Sequence, residues 1–274
     1  MRKRLALICL LAVIVPLGLV ACCPPSWVFG SNHLRRTLAL GWNNPALCFK
    51  ACGTNEVSID WMMWTLPMFP SIKEVSLSPI SPVQGAKPLV DRLARLASNP
   101  WIISLEVRNV NATDADLASL EDMSQLEWLD LSSNPEITDK GVARLAGCTR
   151  LRHLNLDKTR VTPVGIAALA DCVDLTHLSM HDCVVTDENV LQIPRFPRIT
   201  YVAFNGSGLT EKGMDHFLTW HFLVRFAVDL TISPESRIEF NKRFRAEWER
   251  AKAAGEDVPL EKDRGRPLFI PVKG

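Results

Sequence analysis

The chain has 274 residues, of which 47% are apolar, and a formal net charge of +1 at neutral pH. This composition excludes an intrinsically disordered polyelectrolyte, and the balanced charge excludes a nucleic-acid-binding protein that relies on a basic surface. The length allows one or two folded domains. The function therefore has to be sought in local patterns, taken below in chain order.

The first residues have the layout of an export signal. Three basic residues at positions 2–4 precede an uncharged apolar segment at residues 5–20. The tetrapeptide that ends at Cys22, Leu-Val-Ala-Cys, resembles a bacterial lipobox. This resemblance implies a signal peptide at residues 1–21 and a lipidated Cys22 as the first mature residue.

An uncleaved membrane anchor is the alternative for the same segment. The apolar segment is short for the roughly 20 residues that a spanning helix needs. Both alternatives leave the basic residues inside and place the remainder of the chain outside the cytoplasm. The sequence therefore predicts an exported, membrane-anchored protein that faces the periplasm or the cell exterior.

Residues 22–56 are predicted to form a lipid-anchored linker and an N-terminal cap. Cys48 and Cys52 lie in this Trp-rich stretch. In an oxidising compartment the two thiols can pair, but three intervening residues on a regular helix would strain a disulfide. Both states of this cysteine pair stay open at this point.

A repeated pattern, L-x-x-L-x-L with other apolar residues allowed, fills the middle of the chain. Its copies begin at Ile72, Ile102, Leu126, Leu151, Leu175, Ile199 and Leu223, with spacings of 30, 24, 25, 24, 24 and 24 residues. Alternation of apolar and polar residues predicts a short strand in each copy. A hydroxyl residue suited to capping a helix follows the strand in the six copies from Ile102 onward, at Thr113, Thr138, Thr162, Thr186, Thr210 and Ser233. Each unit is thus predicted to contain a strand and a helix.

The best-defined copies resemble the cysteine-containing leucine-rich repeats of F-box proteins and of many bacterial proteins. The residues that carry the resemblance are Leu126, Leu129, Leu131, Asn134, Ile137, Thr138, Asp139, Gly141, Leu145 and Cys148, then Leu151, Leu154, Leu156, Val161, Thr162, Gly165, Leu169 and Cys172. The resemblance implies an α/β solenoid at residues 57–232, with a curved parallel sheet on its concave face and helices on its convex face. Cys148 and Cys172 are expected to be small buried residues, and a disulfide between them is the alternative.

Outward-facing strand positions form columns across such a sheet. In one column, four adjacent members are aromatic or imidazole: Trp128, His153, His177 and Tyr201. We predict that these four residues form a docking strip, flanked by Asp130, Asn155, Asp157 and His181. Cross-strand packing without a binding role is the alternative explanation.

Catalytic and metal-binding motifs are not found in the sequence, so no catalytic residue, metal or cofactor is predicted. The pair His153 and His177 lies about 13 Å along the strands from the pair Asp157 and His181, too far for one ion to bridge. A two-ligand adventitious site is the remaining metal alternative.

Residues 233–274 are predicted to form a C-terminal capping helix and tail. Phe240, Phe244, Trp248 and Ala251 fall on one helix face, which would cover the last repeat. Together these features predict a non-enzymatic protein-binding or structural module of the cell envelope, with another protein as its partner. The alternatives are an intracellular substrate adaptor of a ubiquitin ligase and an enzyme of unknown chemistry that uses His and Asp residues of the sheet.

Overall fold

The computed structural model describes residues 47–51, 72–77, 89–228 and 232–258. The predicted signal peptide, the lipid site Cys22, Cys52 and the side chain of Cys48 lie outside this described part. Within it, no helix is both long enough and apolar enough to cross a membrane.

Among the described residues, eight strands form one sheet. They are β1 Leu47–Ala51, β2 Ile72–Leu77, β3 Ser104–Val107, β4 Trp128–Asp130, β5 His153–Asn155, β6 His177–Ser179, β7 Tyr201–Ala203 and β8 Arg225–Ala227. Their order in the sheet is their order in the chain, and the pairs from β2 to β8 are parallel. Parallel neighbours need a crossover between them, so each unit adds one strand and one return segment. The predicted α/β solenoid is confirmed.

The return segments are short because each unit has only about 24 residues. The helices are α1 Leu89–Ala97, α2 Asp139–Ala143, α3 Pro163–Ile166, α4 Glu211–Met214 and α5 Pro234–Ala253. Turns of 3₁₀-helix continue or replace them at Asp116–Leu120, Arg144–Gly147, Ala167–Leu169, Val190–Gln192 and Asp215–Phe217. The return segments are therefore less regular than the helix per repeat that the sequence predicts.

The core lies between the sheet and these return segments. Leucines of the repeat pattern, such as Leu129 and Leu131, are fully buried. Cys148 and Cys172 are buried free thiols, each within hydrogen-bonding distance of a backbone carbonyl. The expectation of small buried residues at these two positions is confirmed, and the disulfide between them is not formed.

Each strand from β3 to β7 is followed by a turn with a residue in the left-handed backbone region. These residues are Asn109, Ser133, Lys158, Asp182 and Gly206, with φ values of 50°, 60°, 57°, 55° and 73°. At the first four of these residues, the backbone N–H donates a hydrogen bond to a carbonyl of the next unit; for example, Ser133 N donates to the Asp157 carbonyl at 2.7 Å. Hydrogen bonding between units thus continues beyond the short strands.

An aspartate of one unit holds the helix start of the next unit in three places. The pairs are Asp114 with Thr138, Asp139 with Thr162, and Asp187 with Thr210. In the second pair, the Thr162 backbone N–H and hydroxyl donate to the two carboxylate oxygens of Asp139, at 2.7 and 2.8 Å. We call this arrangement the aspartate–threonine clamp. The clamped threonines are the N-caps of α2, α3 and α4.

In the pair of Asp187 with Thr210, the clamp favours the charged form of the carboxylate. Burial alone would raise the pKa of Asp187, but hydrogen bonds from Thr210 and Gly213 and the charge of Lys212 outweigh burial and lower the pKa.

The clamp also explains a recurring glycine three residues after each clamped threonine. A Cβ on Gly165 would lie 2.6 Å from Asp139 Oδ1, and Gly141 and Gly213 face their own aspartates equally closely.

One predicted helix cap is wrong and another takes a local form. The Thr113 hydroxyl donates to Asp116 Oδ2, and the 3₁₀-segment that follows has no side-chain cap. The Thr186 hydroxyl accepts from the Asn189 N–H at 3.3 Å, as the sequence predicts, ahead of a 3₁₀-segment at Val190–Gln192. Before Thr186 the aspartate position holds Pro163, which has no carboxylate to offer. The third residue after each threonine instead supplies the acceptor: Thr113 N donates to Asp116 Oδ2 at 2.8 Å, and Thr186 N donates to Asn189 Oδ1 at 2.7 Å. The acceptor of the threonine N–H thus belongs to the same unit in these two cases and to the preceding unit in the other three.

The long helix α5 covers the last repeat. Ser233 caps its start, and its buried residues are Phe240, Phe244, Trp248 and Ala251, the four predicted from the sequence. Phe240 lies 6.0 Å from the ring of Phe226 in β8, and Arg243 forms an ion pair with Asp215 at 2.7 Å. The helix thus shields apolar side chains that a further repeat would otherwise cover.

Candidate functional site

The four residues of the predicted docking strip lie side by side on the sheet. Trp128 pairs in register with His153, His153 with His177, and His177 with Tyr201. All four side chains are partly exposed. We refer to Trp128, His153, His177 and Tyr201 as the aromatic strip.

Ring stacking joins three members of the aromatic strip. The ring centroids of His153 and His177 are 4.1 Å apart with an interplanar angle of 18°, and those of His177 and Tyr201 are 5.6 Å apart at 28°. Stacking on neighbouring strands fixes the rotamers of these rings before any ligand arrives. The strip is therefore a preorganised flat surface.

The protonated form of both strip histidines is disfavoured in the folded protein. Burial, with the charges of His153 and Arg225 adding to it, lowers the pKa of His177 to about 4. Burial and the charge of Arg152 lower the pKa of His153. The strip therefore presents uncharged rings to a ligand.

A hydrogen bond selects the tautomer of His177. Its Nδ1 lies 2.9 Å from the Thr176 hydroxyl, which donates its own proton to the Arg152 carbonyl at 2.9 Å. The hydroxyl must then accept, so Nδ1 of His177 carries the ring proton and Nε2 keeps a lone pair. Burial raises the pKa of Tyr201, as does Asp157, while Arg225 opposes them, so the phenol remains a donor. The strip thus offers a free acceptor beside a donor.

The flanking residues are engaged within the sheet. Asp130 is only 4% exposed, whereas the sequence predicts an outward-facing contact residue. Its carboxylate accepts from the Ser132 N–H at 2.9 Å, and the Arg108 guanidinium covers it at 3.5 Å. The prediction for Asp130 is therefore corrected: this carboxylate orders the turn that follows β4 and is not available to a ligand.

Asn155, Asp157 and His181 also bond to their neighbours. Asn155 Oδ1 accepts from the Asp157 N–H at 2.9 Å, and Asp157 Oδ1 accepts from the Ser179 hydroxyl at 2.6 Å and the His181 N–H at 2.8 Å. His181 Nδ1 accepts from the Asn205 N–H at 3.2 Å, which leaves its Nε2–H for a ligand. These contacts make the flank a rigid border of the aromatic strip.

A surface depression lies at the N-terminal end of the strip. Its volume is about 450 Å³, and its lining includes Glu74, Ser76, Ser104, Glu106, Glu127, Trp128, Arg152 and His153. Of this set, only Trp128 and His153 are predicted from the sequence as contact residues. Glu74, Ser76, Ser104 and Glu106 lie in the same columns of outward-facing strand residues, but the column pattern does not show where the surface is depressed. Glu127 and Arg152 directly precede β4 and β5, outside these columns.

The described residues of this surface do not form an activated serine nucleophile or a metal site. The Ser179 hydroxyl donates to Asp157, whose same oxygen also accepts from the His181 N–H, so the carboxylate serves as a structural acceptor within the sheet. Among the described residues, no group of three or more His, Cys, Asp or Glu side chains is arranged to hold a metal ion.

Comparison with known families identifies the repeat type. Residues 126–146 and 147–170 match the family model described as Leucine Rich repeat. The architecture is a leucine-rich-repeat solenoid. The match spans two units of the sheet, those that contain β4 and β5. No curated protein sequence is significantly similar to the chain.

Two solved structures from Listeria monocytogenes are similar to this leucine-rich-repeat solenoid. Internalin C2 (inlC2) is 21% identical, with a TM-score of 0.44, and the match covers 58% of this chain and 62% of that one. Internalin inlF is 14% identical, with a TM-score of 0.40, and the match covers 65% of this chain and 60% of that one. The chain thus spans about three-fifths of the length of these two proteins.

Proposed function

We propose that this leucine-rich-repeat solenoid is a non-enzymatic protein-binding module of the cell envelope. The observation that carries the proposal is the aromatic strip, in which His153, His177 and Tyr201 stack in one exposed row. Aromatic side chains that are already ordered lose little conformational entropy on binding and supply large contact areas. Another protein is the partner that best fits such a row, because the row is open and extends over four strands.

The neutral state of the histidines supports the same proposal. A partner that buries uncharged rings avoids the desolvation penalty that two imidazolium groups would impose. His177 Nε2 and the Tyr201 hydroxyl then give the partner an acceptor and a donor at fixed positions. We propose Trp128 and Tyr201 as the main contacts, with Asn155, Asp157 and His181 as the polar border.

Site-specific photo-crosslinking tests the surface directly. A benzophenone amino acid in place of Tyr201 is expected to crosslink the partner in cells, because it keeps an aromatic ring in the row. The matched control carries the same group in place of Val164, an exposed residue of α3 on the helical side. The proposal would be wrong if both positions gave the same products, or if the variant Trp128→Ala/Tyr201→Ala captured the crosslinked partner as well as the parent chain.

We further propose that the module is tethered to the membrane, either through a lipidated Cys22 or through an uncleaved anchor, and that it faces the periplasm or the cell exterior. The basic residues 2–4, the apolar segment and the lipobox-like tetrapeptide support this tether. The division into residues 22–56, 57–232 and 233–274 is part of the same proposal.

Membrane fractionation with mass spectrometry of the N-terminal peptide tests the tether. A diacylated Cys22 is the expected result, and an intact N-terminus in the membrane fraction would replace it with the anchor. An unprocessed chain in the soluble cytoplasm would overturn the proposed location and favour the intracellular adaptor.

A further inference from the structure

The surface depression beside Trp128 differs in charge from the aromatic strip. Four carboxylates lie in or next to it, those of Glu74, Glu106, Glu127 and Asp130, against the two guanidinium groups of Arg108 and Arg152. Arg152 is engaged with Glu127 at 3.7 Å, and Arg108 is shared between Glu106 at 3.4 Å and Asp130 at 3.5 Å. The described residues therefore leave an excess of negative charge at this place.

A serine at the depression has an unused hydroxyl. Ser76 is 5% exposed, and its Oγ has no hydrogen-bond partner in the structure. Ser76 pairs in register with Glu106, so both side chains project from the same side of the sheet. A buried hydroxyl without a partner is unfavourable, and a ligand that donates to it would remove that penalty.

The shape of the depression follows from the small side chain of Ser104. In the sheet register, Ser104 separates Glu74 from Trp128. Two strand spacings put the outer residues about 10 Å apart, so a carboxylate and an indole face each other across a gap. A flat cation fits this gap, because it can stack on the indole and donate to the carboxylate at once.

We propose that this depression binds an arginine side chain of the protein partner. The guanidinium stacks on Trp128 and donates to the Ser76 hydroxyl and to the carboxylates of Glu74 and Glu106. Arginine is favoured over lysine because its planar group has five donors spread over a wide angle, whereas an ammonium is a compact point charge. This inference rests on the proposed function, since it assigns one anchor of the same partner.

A small probe tests the site without the partner. The full chain is labelled with fluorotryptophan, and Trp128→Phe assigns the Trp128 signal. Nα-acetyl-arginine amide is expected to shift this signal in a saturable way, and the citrulline analogue, which has the same shape without the charge, is not. Glu74→Gln and Ser76→Ala are each expected to weaken the arginine probe by about fivefold, as expected for the loss of one hydrogen bond to an ionic group.

The controls separate this inference from a general effect of charge. Glu136→Gln removes an exposed carboxylate elsewhere and should leave the affinity for the probe unchanged. Thermal melting of each variant shows whether the fold is retained. Equal binding of citrulline, an undiminished affinity in Glu74→Gln, or tighter binding of Nα-acetyl-lysine amide would each overturn the arginine assignment.

The outcome is independent of the crosslinking experiment. If the probe fails while Tyr201 crosslinks a partner, the arginine assignment is wrong and the proposed function stands. If the probe binds but no partner is crosslinked, the depression is a cation site and the protein-binding function is wrong.

Discussion

Asp139 accepts two hydrogen bonds from Thr162, a residue of the following unit, at 2.7 Å from the backbone N–H and 2.8 Å from the hydroxyl. Thr162 in turn accepts from the Val164 N–H and so caps α3. The carboxylate therefore supports a helix that belongs to another unit. Cohesion between units depends on these polar contacts as well as on the buried leucines.

Removal of this carboxylate is expected to destabilise the fold. Asp139→Ala should lower the free energy of unfolding by about 1–3 kcal/mol, because the Thr162 N–H and hydroxyl lose a charged acceptor. Urea unfolding followed by circular dichroism measures the change. Asp122→Ala, which removes another exposed aspartate, is the matched control and should change the free energy much less. Equal effects of the two variants would contradict a clamp.

A local acceptor should rescue the clamp variant. Units that lack the borrowed aspartate use a side chain three residues after the threonine, as Asn189 does for Thr186. Asp139→Ala/Gly165→Asn copies that arrangement and removes the carboxylate oxygen that a Cβ at position 165 would approach to 2.6 Å. The Cα and Cβ of residue 139 stay at 2.9 and 3.0 Å from that Cβ, so the segment must shift by a few tenths of an ångström to admit it. We expect the double variant to regain part of the lost stability. Gly165→Asn alone should be destabilising, because its side chain would clash with the Asp139 carboxylate.

The clamp also explains which parts of the fold the sequence predicts. The repeat spacing gives the strands, and hydroxyl residues give the caps at Thr138, Thr162, Thr210 and Ser233. The cap prediction fails at Thr113, whose hydroxyl donates to Asp116 instead of accepting from a helix N–H. A local pattern of hydroxyl residues does not include the acceptor of the threonine N–H, which belongs to the preceding unit in three units and to the same unit at Thr113 and Thr186. The residue three positions after each threonine distinguishes the two kinds of unit. A glycine there indicates a threonine held by the aspartate of the preceding unit, and an Asp or Asn there indicates a local acceptor.

The candidate site is predicted only in part for a similar reason. Alternation along a strand tells which side of the sheet a residue faces, and the register places Trp128, His153, His177 and Tyr201 in one row. Alternation does not tell whether a neighbour covers that residue. Asp130 faces outward but is covered by Arg108 from the preceding strand segment, so its burial was missed.

Acid should weaken the fold through His177. The unfolded histidine binds a proton near its ordinary pKa of 6.5, whereas the folded residue binds one only near pH 4. Between these values the unfolded chain holds more protons, so the free energy of unfolding falls as the pH falls through this window. His177→Gln should show a flatter pH dependence from pH 7 to 4 in urea unfolding. An NMR titration of the His177 ring with a midpoint near 6.5 would contradict the expectation.

The buried thiols should be inert in the folded protein. Burial raises the pKa of Cys148 to about 12, with a contribution from Cys172, and burial and Asp171 raise that of Cys172 to about 11. Since the thiolate is the nucleophile, iodoacetamide at pH 8 should leave both residues unmodified. Peptide mass spectrometry measures the modification, and the same reaction in urea is the control. Rapid native alkylation of Cys148 would show that the unit opens.

Weakening the capping helix α5 should destabilise mainly the end of the sheet that contains β8. Phe244→Ala is expected to lower the free energy of unfolding by about 3–5 kcal/mol, because a buried aromatic ring of α5 is removed. Units of a solenoid contact only their neighbours, so amide exchange should accelerate in β8 far more than in β4. Arg245→Ala, on the exposed side of α5, is the control. Uniform acceleration across all strands would contradict the local effect.

The borrowed carboxylate also restricts how the number of units can change by deletion or duplication. Deletion of residues 138–161 would bring Asp114 to Thr162, which is followed by the compatible glycine at position 165. Deletion of residues 162–185 removes a segment of the same length but would bring Asp139 to Thr186, where Asn189 already supplies the acceptor. Two side chains would then compete for one N–H. Segments of equal length are therefore not interchangeable. After a deletion or duplication, two units pack as in the native protein only where each threonine N–H meets one acceptor, either the aspartate of the preceding unit or the side chain three residues later.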